Sequence, residues 1–99
     1  MAQFEFTAEV WVAPADDAWR FVTVPAEVAD DIRMMAGPRR GFGSVRVEVT
    51  VGRTTWRTSV FPDSRKDSYI LPVKKAVRDA EGIHDGDTVT VKLRLVDVE

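Results

Sequence analysis

Between Val45 and Val51 every second residue is a valine, with Arg46, Glu48 and Thr50 in the gaps. A period of two places the four valines on one face of an extended chain and the polar residues on the other, which predicts a half-buried β-strand rather than a helix. Gly52 and Arg53 supply a tight turn. The return strand is expected over Thr54 to Phe61, with Trp56, Thr58 and Val60 on one face and Thr55, Arg57, Ser59 and Phe61 on the other. A lone hairpin is marginal in water, so this one demands more strands against it.

Those strands are legible. Phe4, Phe6, Ala8, Val10 and Val12 alternate with Glu5, Thr7, Glu9 and Trp11, and the run ends at Pro14, Asp16 and Asp17. Trp19 to Val24 reads as its antiparallel partner, Tyr69 to Leu71 as a short strand, and Val89, Val91, Leu93 and Leu95 as the core face of a last one. Two helices interrupt this pattern, each opened by a proline. Pro25 precedes Val28, Ile32 and Met35 at helical spacing, with Gly37 and Pro38 as the stop, and Arg39 to Gly43 form a loop. Pro72 precedes Val73, Ala76, Val77 and Ala80, with Gly82 as the stop, while Pro62 to Asp67 is a polar loop and Asp85-Gly86-Asp87 a turn.

The two halves follow one order of events. Trp19-Arg20 answers Trp56-Arg57 and Pro25 answers Pro72, so residues 3 to 51 and 45 to 96 are expected to form similar halves about an approximate two-fold axis. A unit of roughly 45 residues cannot bury its own apolar face, and two copies in one chain can share a core as a monomer. The expected fold is mainly β: a small closed or split β-barrel with two short helices and an internal pseudo-two-fold repeat. At 99 residues the chain is read as one domain, 1–99.

Two resemblances bear on this. Leu71-Pro72-Val73, Val77-Arg78, Gly82-Ile83 and Asp85-Gly86-Asp87-Thr88-Val89 resemble the swapped-hairpin half of transition-state regulators and addiction antidotes, which pair into DNA-binding barrels. Nearly the whole chain is similar to the bacterial family known as domain of unknown function 1905. Gly41-Phe42-Gly43-Ser44-Val45, Thr54 to Ser59, Tyr69-Ile70-Leu71-Pro72-Val73-Lys74, Val77-Arg78, Gly82 and Asp85-Gly86-Asp87 carry that likeness. It implies a small closed or split barrel and brings no catalytic residues with it.

Composition narrows the chemistry. There is no cysteine and one histidine, His84, so a zinc or other soft-metal site lacks ligands, and no cofactor is expected. Ser44, Ser59, Ser64 and Ser68 stand in no Gly-x-Ser-x-Gly elbow, and the pairs Asp16-Asp17, Asp30-Asp31 and Asp85-x-Asp87 fall on turns or an outer helix face. The Gly41-Phe42-Gly43 loop lacks the Gly-Lys-Ser/Thr of a phosphate loop. No apolar run is long enough for a membrane span, and the alternation from Met1 to Val12 does not read as a signal peptide; a cytoplasmic, membrane-free protein is expected.

The net charge of −2 conceals segregation: residues 1–38 carry −5, residues 39–78 carry +7 and residues 79–99 carry −4. The basic middle also holds the residues that best fit a ligand site, namely Arg40, Trp56, Arg57, Tyr69 and Lys75. Arginine and tyrosine together suit an anionic or planar partner. Trp56 and Arg57 point to opposite faces of their strand, so if Trp56 is core the role passes to Arg57, Tyr69 and Lys75. The functional expectation is a non-catalytic binding or accessory module that takes a small molecule or protein at a barrel mouth. The alternatives are a nucleic-acid-binding barrel, which needs Arg39, Arg40, Arg57, Arg65, Lys66, Lys74, Lys75 and Arg78 on one surface, and an enzyme of unrecognised type.

Overall fold

The computed structural model describes residues 3–36 and 43–96. In chain order the elements are β1 (Gln3–Glu9), β2 (Trp11–Val12), β3 (Arg20–Thr23), α1 (Ala26–Ala36), β4 (Val45–Val51), β5 (Thr54–Asp63), β6 (Ser68–Pro72), α2 (Lys75–Glu81) and β7 (Thr88–Leu95). The strands form one antiparallel sheet in the order β1-β7-β4-β5-β6-β3-β2.

The two ends of that order are two pieces of one bent strand. Between β1 and β2 lies only Val10, whose N–H donates to the Asp87 carbonyl (2.9 Å) and whose carbonyl accepts from Gly86 N–H (2.8 Å). At this point the strand exchanges β7 for β3 as its partner. β5 behaves alike, pairing with β4 as far as Val60 and with β6 from Phe61. Two such corners curl the sheet into a small split barrel.

The period-two pattern is what fills it. Val45, Val47, Val49 and Val51 are all buried and meet Val91, Leu93 and Leu95 of β7 and Trp56 and Val60 of β5. Ala29 and Ile32 of α1 and Val77 of α2 add to the same core. The β4–β5 turn needs glycine at Gly52, which takes a left-handed φ of 59°, and a side chain there would also displace the Glu81 carboxylate packed against it. Glu81 Oε2 accepts from Thr54 Oγ1 (2.6 Å) and from the Arg53 N–H (3.3 Å), tying the end of α2 to the hairpin.

Several expectations change. Trp19 lies before β3 and is 52% exposed, because it shares the outward parity of Phe21. Met35 is exposed, since the buried stripe of α1 is centred on Ala29, Ile32 and Ala36 and leaves Met35 at its edge. Pro62 belongs to β5, and Pro72 ends β6 instead of opening α2, which begins at Lys75 after Lys74 as N-cap. Ala76 and Ala80 face solvent, because α2 turns Val77 inward and Glu81 toward the hairpin. Gly82 does terminate α2, at φ 62°, with its N–H on the Arg78 carbonyl.

Strand, strand, helix, strand occurs twice in the element order if the bent β1–β2 is counted once, and the second set starts at Thr54. Trp56-Arg57 therefore sit in the first strand of their set, whereas Trp19-Arg20 lead into the second strand of theirs. The two Trp-Arg pairs therefore do not occupy matching places in these sets.

Candidate functional site

The five residues singled out from sequence are not gathered into one site. Arg40 lies outside the described residues. Trp56 points inward from β5, opposite Val49, and is core. Tyr69 is 1% exposed on the inner side of β6, and the Arg33 guanidinium of α1 lies 5.8 Å from its ring centroid. Arg57, on the outer side of β5, approaches Glu48 of β4 at 3.5 Å. Lys75, exposed at the start of α2, pairs with Asp79 one turn on at 2.8 Å.

Arg57 belongs to a charge ladder across three strands. Glu48 Oε1 accepts from Arg94 Nε of β7 at 2.7 Å while its Oε2 faces Arg57. The Arg94 hydrogen bond, more than Arg57, holds the Glu48 carboxyl below its ordinary range, and Arg94 is pushed up in turn. Beside the ladder, Thr50 and Thr55 share a hydrogen bond of 2.8 Å between their hydroxyls. These five side chains satisfy one another.

The other outer face, on β2, β3 and β6, is different in kind. Val22 and Leu71 point inward, so the strand period turns Phe21 and Ile70 outward. Register then builds two rows. Trp11 of β2 stands beside Phe21 with ring centroids 5.1 Å apart, and Pro72 follows on β6. Thr23, Ile70 and Phe61 form the next row. The Trp11 indole N–H donates to Thr23 Oγ1 at 3.0 Å, which fixes the ring in place.

Trp19 completes the face by stacking on Phe21, 10° from parallel at 5.9 Å. The loop between β5 and β6 folds over the far end, bringing Lys66 Nζ to 5.1 Å from the Trp11 ring centroid, a cation–π contact. The loop is itself anchored from α1. Arg33 donates to the Asp67 carbonyl at 2.6 Å and pairs with Asp30, and behind this clamp a surface cavity of about 240 Å³ is lined by Arg33, Asp63, Ser64, Asp67 and Tyr69. Asp67 there holds a left-handed φ of 50°.

The aromatic face was only partly visible in the sequence. Trp11 occupies an outward position in the first strand's alternation, and Trp19 and Phe21 share one parity. The missing signal was the register that sets Trp11 beside Phe21.

A search of curated proteins finds no match. The family profile described as Domain of unknown function (DUF1905) matches residues 6–93. The chain belongs to that family. The match runs from Phe6 in β1 to Leu93 in β7, so the DUF1905 region takes in both corner strands, both helices and the whole aromatic face. Among the described residues of this DUF1905 domain, no three His, Cys, Asp or Glu side chains gather as a metal site, and no helix is long and apolar enough to cross a membrane.

Proposed function

We propose that this DUF1905 domain is a non-catalytic binding module whose contact surface is the outer aromatic face of β2, β3 and β6. The observation that carries the reading is Trp19, half exposed yet stacked flat on Phe21. A tryptophan held in one orientation with a free face gains apolar burial on contact, at about 25 cal/mol per Å², without first losing rotamer freedom. Trp11, Phe61 and Ile70 extend the apolar area, and Lys66 adds a cation suited to a polar or anionic group on the partner. A non-catalytic role is favoured because the buried Ser68 hydroxyl is committed to the Val24 carbonyl at 2.5 Å, and His84 is an exposed turn residue.

A nucleic-acid role has weaker support. Two of the cations it needs, Arg57 and Lys75, are engaged by Glu48 and Asp79. The test is tryptophan emission during titration with planar small molecules, peptides and single-stranded oligonucleotides. A ligand acting on this face shifts the emission of wild type and fails to shift that of Trp19→Ala. A panel that never moves the wild-type signal counts against the proposal.

We further infer that the two strand–strand–helix–strand sets are internal copies about an approximate two-fold axis through the β3–β6 ladder. Its support is register. Shifting Trp11↔Phe21 and Val12↔Arg20 onto the second set gives Phe61↔Ile70 and Pro62↔Tyr69, the pairs observed between β5 and β6. Val24 N–H to Tyr69 carbonyl and Val73 N–H to Arg20 carbonyl, both 2.9 Å, exchange under the same operation, as do the helix starts at Ala26 and Lys75. In an experimental structure, superposing β2–β3 on the β6 end of β5 and β6 must then bring the start of α1 onto α2.

A further inference from the structure

Resting on that reading of the aromatic face, we infer that its occupant is a second copy of this chain, docked face to face about a two-fold axis. The apolar centre of the face is Trp11, Trp19, Phe21, Ile70 and Phe61. What selects the partner is the charge at its two ends.

β3 and β6 are antiparallel neighbours, so the loops that lead into them lie at opposite ends of the face. The loop into β3 carries Asp16 and Asp17, both exposed, and among the described residues no ion pair engages either carboxylate. The Arg20 guanidinium reaches this loop at the Asp17 and Trp19 carbonyls, and it is paired with Asp85 at 2.5 Å. The loop into β6 carries Arg65 and Lys66. Of the carboxylates around them, Asp67 is held by Arg33, and Asp63 accepts the Arg65 backbone N–H at 3.2 Å, as Asp16 accepts that of Ala18 at 3.1 Å. Neither the Arg65 nor the Lys66 side chain has an ion-pair partner among the described residues.

Among the described residues, one face thus presents two carboxylates without an ion pair at one end, two cations without an ion pair at the other, Lys66 resting on the Trp11 ring, and aromatic surface between. The ends are separated by the length of the four- to five-residue strands, roughly 13–17 Å at 3.3 Å per residue. A two-fold axis lying in the interface and running across the strands sets the acidic end of each copy on the basic end of the other, and does so twice. That is the self-complementarity an isologous dimer requires. A parallel arrangement would oppose acid to acid.

The experiment is charge reversal read by sedimentation equilibrium, with circular dichroism to confirm folding. Wild type is expected to show a concentration-dependent dimer that weakens with salt. Asp16→Lys with Asp17→Lys, and separately Arg65→Glu with Lys66→Glu, each turn both contacts into like-charge pairs and should weaken dimerisation at least about tenfold. Mixing the two double variants restores opposite charges at both contacts and should restore the dimeric mass. A wild type that stays monomeric at its solubility limit overturns the second copy, as does a mixture of folded variants that stays monomeric. If such a monomer still shows the Trp19-dependent emission shift with the ligand panel, the face reading survives; without that shift both fail.

Discussion

The two outer faces of this barrel share one interior and differ in everything turned toward solvent. On the β7–β4–β5 side, the Glu48 carboxylate is shared between Arg57 and Arg94, and Thr50 and Thr55 share a hydrogen bond. On the β2–β3–β6 side, half-exposed Trp19 stacks on Phe21 with the tilted Trp11 ring beside it. Among the described residues, Asp16 and Asp17 at one end and Arg65 and Lys66 at the other make no ion pair. Inward valines and leucines are common to both. Alternation decides that a barrel forms, and the outward positions decide what it touches.

The largest expected effect separates core from face by one residue type. Trp56→Ala removes a buried ring opposite Val49 and should cost about 3–5 kcal/mol in urea unfolding. Trp19→Ala removes a half-exposed ring and should cost less than about 1 kcal/mol while abolishing contact at the face. Equal losses for both would erase the distinction between the two tryptophans.

A smaller effect probes the self-satisfied face. Arg94 and Arg57 depress the Glu48 carboxyl in the folded state, so its contribution to stability is present above the unfolded-state pKa and lost as pH falls through the folded one. Glu48→Gln should therefore lower the melting temperature slightly at neutral pH, and the gap to wild type should close on acidification. It should leave self-association untouched. A gap that widens toward acid has the sign of the linkage wrong.

These contrasts also show how far the sequence could be read. The Val45–Val51 alternation, the Gly52-Arg53 turn, the inward Trp56 and the Gly82 stop are local consequences of side-chain period and backbone freedom, and each stands in the structure. What failed depends on which segments meet. Pro72 has the right chemistry for a helix start, yet the strand needs Leu71 and Pro72 opposite Val22 and Phe21, so the helix waits until Lys75. Val10 reads as one more inward residue, and only the contact with the Gly86-Asp87 turn makes it a corner. The aromatic face is only partly legible in the sequence for the same reason, since Trp11, Phe21 and Lys66 are joined by register and loop folding. The basic segment holds Arg57 and Lys75, yet their carboxylate partners lie in β4 and one helical turn away.

The most direct test of the central claim is a nitrogen-15 correlation spectrum of the wild-type protein, recorded as its own concentration rises and again with compounds from the ligand panel. The indole and amide signals of Trp11, Trp19, Phe21 and Ile70 should move with concentration, while those of Glu48, Arg57, Arg94 and the Trp56 indole stay in place. Movement confined to the Glu48–Arg57–Arg94 face, or a spectrum that never changes under either condition, would contradict the account.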